Sequence, residues 1–115
     1  MAFRRPTLDE RRLLLELAKI GGIKEPDTWV ETLNVREMND GGMGSLELSS
    51  DRSGNAVSTG LVICKATVQF TDEDGVEVVA SLNATQTGMA FELEVWKTNF
   101  APLIRIPTVF RRVEG

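Results

Sequence analysis

Two short stretches of this 115-residue chain hold the residue types from which a site could be built. The first is Asp40-Gly41-Gly42-Met43-Gly44-Ser45, where glycines leave backbone N–H groups open and a carboxylate stands beside them. Such turns cradle phosphate when successive N–H groups converge at a helix N-terminus. Here no Gly-Lys-Ser/Thr ending follows and the next residues are strand-like, so a tight connection with close backbone approach is expected. The second stretch is Trp96-Lys97-Thr98-Asn99-Phe100. If Phe91, Leu93 and Val95 face inward, Lys97 shares their parity at the strand's end. It is then either a buried structural bridge to Asp40 or another carboxylate, or a pocket cation whose pKa burial lowers. Trp96 faces the other way, with Glu92 and Glu94, and tryptophan on a wet sheet face is either covered by a loop or available to a partner.

Two sets of candidate residues follow. Asp40, Gly41, Gly42, Lys97 and Asn99 make a candidate ligand site. Trp96, Glu92, Glu94, Glu77, Asp72 and Asp74 make a candidate partner-binding surface. Catalysis has little to work with. The chain has no histidine, no tyrosine and one cysteine, which excludes Ser-His-Asp and Cys-His systems and histidine-bearing zinc sites within it. Acid–base work would fall to Asp, Glu or Lys. Asp72-Glu73-Asp74-Gly75 starts like a calcium loop but lacks the third ligand and the terminal glutamate, so it reads as a hairpin turn. Cys64, in mid-strand among apolar neighbours, reads as a small inert core residue. No catalytic residue, metal or cofactor is expected.

The elements that must position these residues are legible from periodicity. Thr7 and Glu10 form a capping box, and from Leu8 to Ile20 the residues Leu13, Leu14, Leu17, Ala18 and Ile20 share one helical face. Gly21-Gly22 ends that helix. Asp27 could cap a short turn holding Trp29, Val30 and Leu33. The period then changes to two: Asn34–Met38, a turn at Asn39-Asp40-Gly41-Gly42, and Ser45–Ser49 returning. Ser50 to Gly60 is a polar loop. Val62, Cys64, Ala66, Val68 and Phe70 alternate with polar residues, as do Val76, Val78, Ala80 and Leu82, then Phe91, Leu93 and Val95. Three connected alternating runs predict an antiparallel meander with one buried face. Leu103–Ile106, between two prolines, reads as a short edge strand. The expected fold is a two-layer α+β single domain over residues 1–115, with a sheet of about five to six strands, the N-terminal helix on one face, a core from 5 to 107 and a tail from 108 to 115.

Charge narrows the partners. A net charge of −4 disfavours general nucleic-acid binding, and no apolar run approaches the roughly 20 residues a bilayer span requires. With no signal-peptide pattern at the start and a lone cysteine, a cytoplasmic location is expected. Asn83-Ala84-Thr85 matches a glycosylation acceptor, which has no meaning without export. Between Ala66 and Trp96 stand six acidic residues and no basic one, while arginines gather at both ends as Arg4, Arg5, Arg11, Arg12, Arg105, Arg111 and Arg112. Solvated hairpin edges account for this, or an acidic face that meets a basic partner.

The strings Asn39 to Ser45 (NDGGMGS), Ala80 to Asn83 (ASLN) and Phe91 to Pro107 (FELEVWKTNFAPLIRIP), with the Arg5-Pro6 start ahead of a helix, resemble a family of small bacterial single-domain proteins of unknown function. The likeness runs from about Arg4 to Pro107 and implies an intracellular one-domain protein marked by Asp40, Gly41, Gly42, Trp96, Lys97 and Pro102. It implies no activity. Three functions stay open. The favoured one is a non-catalytic domain that binds another protein through an acidic sheet face, a face that suits a basic partner, with an immunity-type protein neutralising a toxin as its narrower form. The others are a small-ligand site or modest enzyme using Asp40, Lys97 and Asn99, and a structural homo-oligomer packed through Trp96 and Val79.

Overall fold

The computed structural model describes residues 2–50, 54–55 and 61–113. The first helix, α1, spans Leu8–Ile20. Its capping box is closed in both directions: the Glu10 N–H donates to Thr7 Oγ1 at 3.1 Å and the Thr7 N–H donates to Glu10 Oε1 at 2.8 Å. Leu13, Leu14, Leu17 and Ala18 are fully buried, the face the spacing predicts. A second helix, α2, spans Pro26–Glu31. Its N-cap is Glu25 in the left-handed region at φ 49°, not Asp27, and no side chain caps it. Pro26 explains the difference, since proline at the first helical position has a preset φ and no N–H to satisfy.

Seven strands follow: β1 (Leu33–Glu37), β2 (Leu46–Ser50), β3 (Gly54–Asn55), β4 (Ile63–Thr71), β5 (Glu77–Ala84), β6 (Ala90–Lys97) and β7 (Arg111–Arg112). All pair antiparallel, in the order β1-β2-β6-β5-β4-β7, with β3 on β2. The class is α+β, and β4, β5 and β6 are the expected meander. The β1–β2 hairpin departs from it by adding to β6 through Leu46–Leu93 and Glu47–Glu92. The far edge of β4 goes to β7, in the stretch expected to be a tail. Most of the polar loop expected over Ser50 to Gly60 lies outside the described residues; Gly54–Asn55 pairs with Ser49–Ser50.

Leu103–Ile106 is not a strand. Its N–H groups are already bonded elsewhere: Leu103 donates to the Gly42 carbonyl at 3.0 Å, and Ile104 and Arg105 donate to the Asp72 carboxylate at 2.8 and 3.0 Å. Cys64 is the other correction. A bulge at Lys65 shifts register between Cys64–Asn83 and Ala66–Leu82, so the alternation that buries Ala66, Val68 and Phe70 turns Cys64 outward and leaves it exposed. A second shift at Phe91 puts Ala90, not Phe91, against the core.

The core lies between α1 and the inward side chains of the sheet, with α2 packed on α1. Arg12 ties the layers at one end by donating to the carbonyls of Ile106 and Pro107. The opposite sheet face carries half-buried and exposed polar residues, among them Thr67, Gln69, Ser81, Glu92, Glu94 and Trp96.

Candidate functional site

Lys97 ends β6 on the inward side, where its side chain is 0% exposed. Its ammonium donates to Asp72 Oδ2 at 2.8 Å, to Asp74 Oδ2 at 2.7 Å and to the Pro102 carbonyl at 3.2 Å. Three donors therefore meet three acceptors. Burial alone would lower the lysine pKa, but the hydrogen bonds that the ammonium donates to Asp72 and Asp74 outweigh it and hold the pKa above the ordinary value. A lowered-pKa pocket cation is therefore not what the geometry builds. Asp72 is equally occupied. Burial pushes its pKa up, yet the N–H of Ile104, the Lys97 ammonium and the N–H groups of Glu73 and Arg105 together bring it down to about 2.

Asp40 does not bond to Lys97. Its two carboxylate oxygens accept the N–H groups of Met43 and Ser45 at 3.1 and 2.9 Å, closing its own turn. Two of the turn's N–H groups are thus already taken by its own carboxylate. The cleft beside it, about 140 Å³, is lined by Glu10, Glu37 and Asp40, and Arg4 bridges the first two of these carboxylates. Asn99 accepts the Ala101 N–H at 3.1 Å, again a turn-closing bond. Gly41 is exposed and Gly42 meets Pro102. What the structure does bring together is the glycine turn and the Trp96–Pro107 segment: Leu103 bonds the Gly42 carbonyl while Lys97 holds the Pro102 carbonyl next to it. Of the proposed ligand residues, Gly42 and Lys97 form a clasp on Pro102-Leu103.

The partner-surface residues divide. Asp72, its side chain 0% exposed, is buried with Lys97, whereas Asp74 bonds to the same ammonium and stays 35% exposed in the turn after β4. Glu77, Glu92, Glu94 and Trp96 do share the outer face. Glu77 pairs with Arg111 and accepts from Thr71. Glu92 and Glu94 receive only the Asn83 amide, at 2.8 and 3.4 Å, and no cation among the described residues reaches either of them. Trp96 is 44% exposed. Phe100, 69% exposed, stands against it with ring centroids 6.2 Å apart and an interplanar angle of 58°.

Register places further residues here that sequence reasoning missed. Across the sheet, Arg36 opposes Glu47, which opposes Glu92, which opposes Asn83. Arg36 Nε donates to Glu47 Oε2 at 2.7 Å, and its guanidinium lies 4.3 Å from the centroid of Phe3. Alternation alone could have put Arg36 and Glu47 on this face, but their adjacency needs the hairpin register, and nothing in the N-terminal segment signals that Phe3 folds over it.

No curated protein and no solved structure matches the chain. Residues 3–107 match a family described as a domain of unknown function, DUF6984, a span that takes in the helix, the glycine turn, the meander and the Pro102-Leu103 clasp but stops short of β7. The chain belongs to this family of unknown function.

Proposed function

We propose that this chain is a non-catalytic protein-binding domain that docks a basic partner on the outer face of its sheet. The observation that carries the reading is the juxtaposition on β6 of two carboxylates, Glu92 and Glu94, with no pairing cation among the described residues, and an indole that is 44% exposed. Carboxylates left unneutralised on a flat face speed encounter with an opposite charge, and a large aromatic beside them supplies desolvated contact area. The binding face is smaller than the charge run suggested, because Asp72 is buried against Lys97 and Asp74 is paired with it. Its centre is Glu92, Glu94 and Trp96, flanked by Glu47 and Glu77. The toxin-neutralising form of this reading adds one demand, that the partner's own basic catalytic cleft be what the face covers.

The test is capture of partners on immobilised chain at low and high salt, with the double variant Glu92→Gln/Glu94→Gln as control. A partner lost at high salt and lost with the double variant supports the reading. One retained equally by both proteins at both salt concentrations overturns it.

A further inference from the structure

We infer that the Trp96–Phe100 corner is a receptor for an arginine side chain of the partner protein, the guanidinium stacking on the indole and pairing with Glu94. This rests on the protein-binding reading and names the side chain that the face takes.

The outer face already contains the arrangement once, complete. At its β1 end, Arg36 lies over the Phe3 ring at 4.3 Å and donates to Glu47 at 2.7 Å, an aromatic–guanidinium–carboxylate sandwich. At the β6 end the aromatic and the carboxylate are present and no described cation lies between them. Glu94 and Trp96 are two apart on one strand face, about 7 Å along the chain, a gap that a guanidinium bridges by stacking with its plane and donating with its edge. The cation nearest in register does not serve. Arg111 lies in the row Arg111–Gln69–Val79–Trp96, but its guanidinium is turned to Glu77 and Thr71.

The aromatic corner is held in place. Phe100 has φ 62°, a conformation that residues with a β-carbon rarely adopt. Its N–H donates to the Lys97 carbonyl at 2.8 Å, and Lys97 is itself fixed by Asp72, Asp74 and Pro102. The two rings meet at 58°, as walls of a corner and not as a closed stack. Within the described residues the phenyl ring, 69% exposed, has its tilted contact with Trp96 to set against a disfavoured backbone conformation. A partner side chain that fills the corner explains it. Arginine fits better than lysine, because its planar, weakly hydrated guanidinium stacks on rings and forks to carboxylates, whereas an ammonium is a hydrated point charge.

The test titrates the full chain with hexa-arginine and hexa-lysine peptides at equal ionic strength, by calorimetry and by the emission of Trp96 in a Trp29→Phe background. Hexa-arginine should bind about threefold or more tightly than hexa-lysine and perturb Trp96 emission. Trp96→Ala and Phe100→Gly, the second of which relieves the backbone and so keeps the fold, should each bring the two peptides to parity. Equal affinities for the two peptides on the unaltered chain overturn the arginine receptor while leaving the acidic face standing. Failure of both peptides to bind at low salt overturns both readings.

Discussion

The Lys97 ammonium lies 2.8 Å from Asp72 Oδ2 with both side chains wholly removed from solvent, and this pair fastens the turn after β4 to the end of β6. Asp72 also receives the N–H groups of Ile104 and Arg105, so one carboxylate organises three segments that share no ladder. Asp72→Ala should cost about 3 kcal/mol or more, because it orphans three backbone donors, those of Glu73, Ile104 and Arg105, and removes one of the two carboxylates around a buried cation. Urea unfolding checks it. A loss under 1 kcal/mol, roughly the worth of an exposed pair, would show that the cluster is not the fastening described.

The same carboxylate sets an acid limb. Its pKa is about 2 in the folded chain against 3.8 for the free group, so the folded state favours the ionised form. The stabilisation is complete above pH 3.8 and disappears as pH falls through about 2; the shift is worth roughly 2 kcal/mol. Glu10, whose pKa is also lowered, acts in the same direction: burial raises it, and the bonds from Arg4 and Thr7 more than reverse that. Urea midpoints should therefore fall steeply between pH 4 and pH 2, and the Asp72→Asn variant should show a shallower fall. An unchanged slope in that variant would remove Asp72 from the account.

Gly44 and Gly41 separate two effects in the turn that meets Pro102-Leu103. Both have positive φ, 106° and 74°, but a β-carbon on Gly44 would sit 3.0 Å from Leu103 Cδ2 while one on Gly41 would meet nothing. Gly41→Ala should cost about 1 kcal/mol from backbone strain alone, and Gly44→Ala distinctly more. Thermal melts of the pair decide it, and equal losses would mean that the clasp yields freely.

Phe100→Gly should leave the melting temperature unchanged or raise it. The left-handed conformation costs a phenylalanine about 1–2 kcal/mol, which glycine does not incur, and glycine's extra chain entropy offsets part of the gain. A clear fall in melting temperature would show that the ring contributes to folding, and the case for a partner-filled corner would weaken with it.

Cys64 should react with a thiol reagent in the native chain, since the bulge at Lys65 leaves it exposed near Thr67. Labelling that requires denaturant would return it to the interior.

These residues also show how far periodicity reaches. The helix from Leu8 to Ile20 was legible because a capping box and one apolar stripe agree, and the meander was legible because three runs alternate in succession. Alternation counts residues, however, and a bulge adds one without changing the count of apolar letters. Cys64 and Phe91 were misplaced for that reason. Leu103–Ile106 read as a strand because prolines flank edge strands, but its N–H groups found side-chain and turn acceptors first, a competition settled only in three dimensions. For the candidate site, Trp96, Glu92 and Glu94 followed from parity on one strand. That Asp72 and Asp74 turn from the acidic surface to Lys97 could not be read, because the run of one-sign charge gives no indication that the missing cation arrives from 23 to 25 positions later in the chain.

The grip of Arg12 on the carbonyls of Ile106 and Pro107 joins positions 94 and 95 apart in sequence. During synthesis α1 lacks this anchor until Pro107 has left the ribosome. Topology of this kind slows folding, and until β4 and β5 have emerged the greasy underside of the helix is exposed to chaperones.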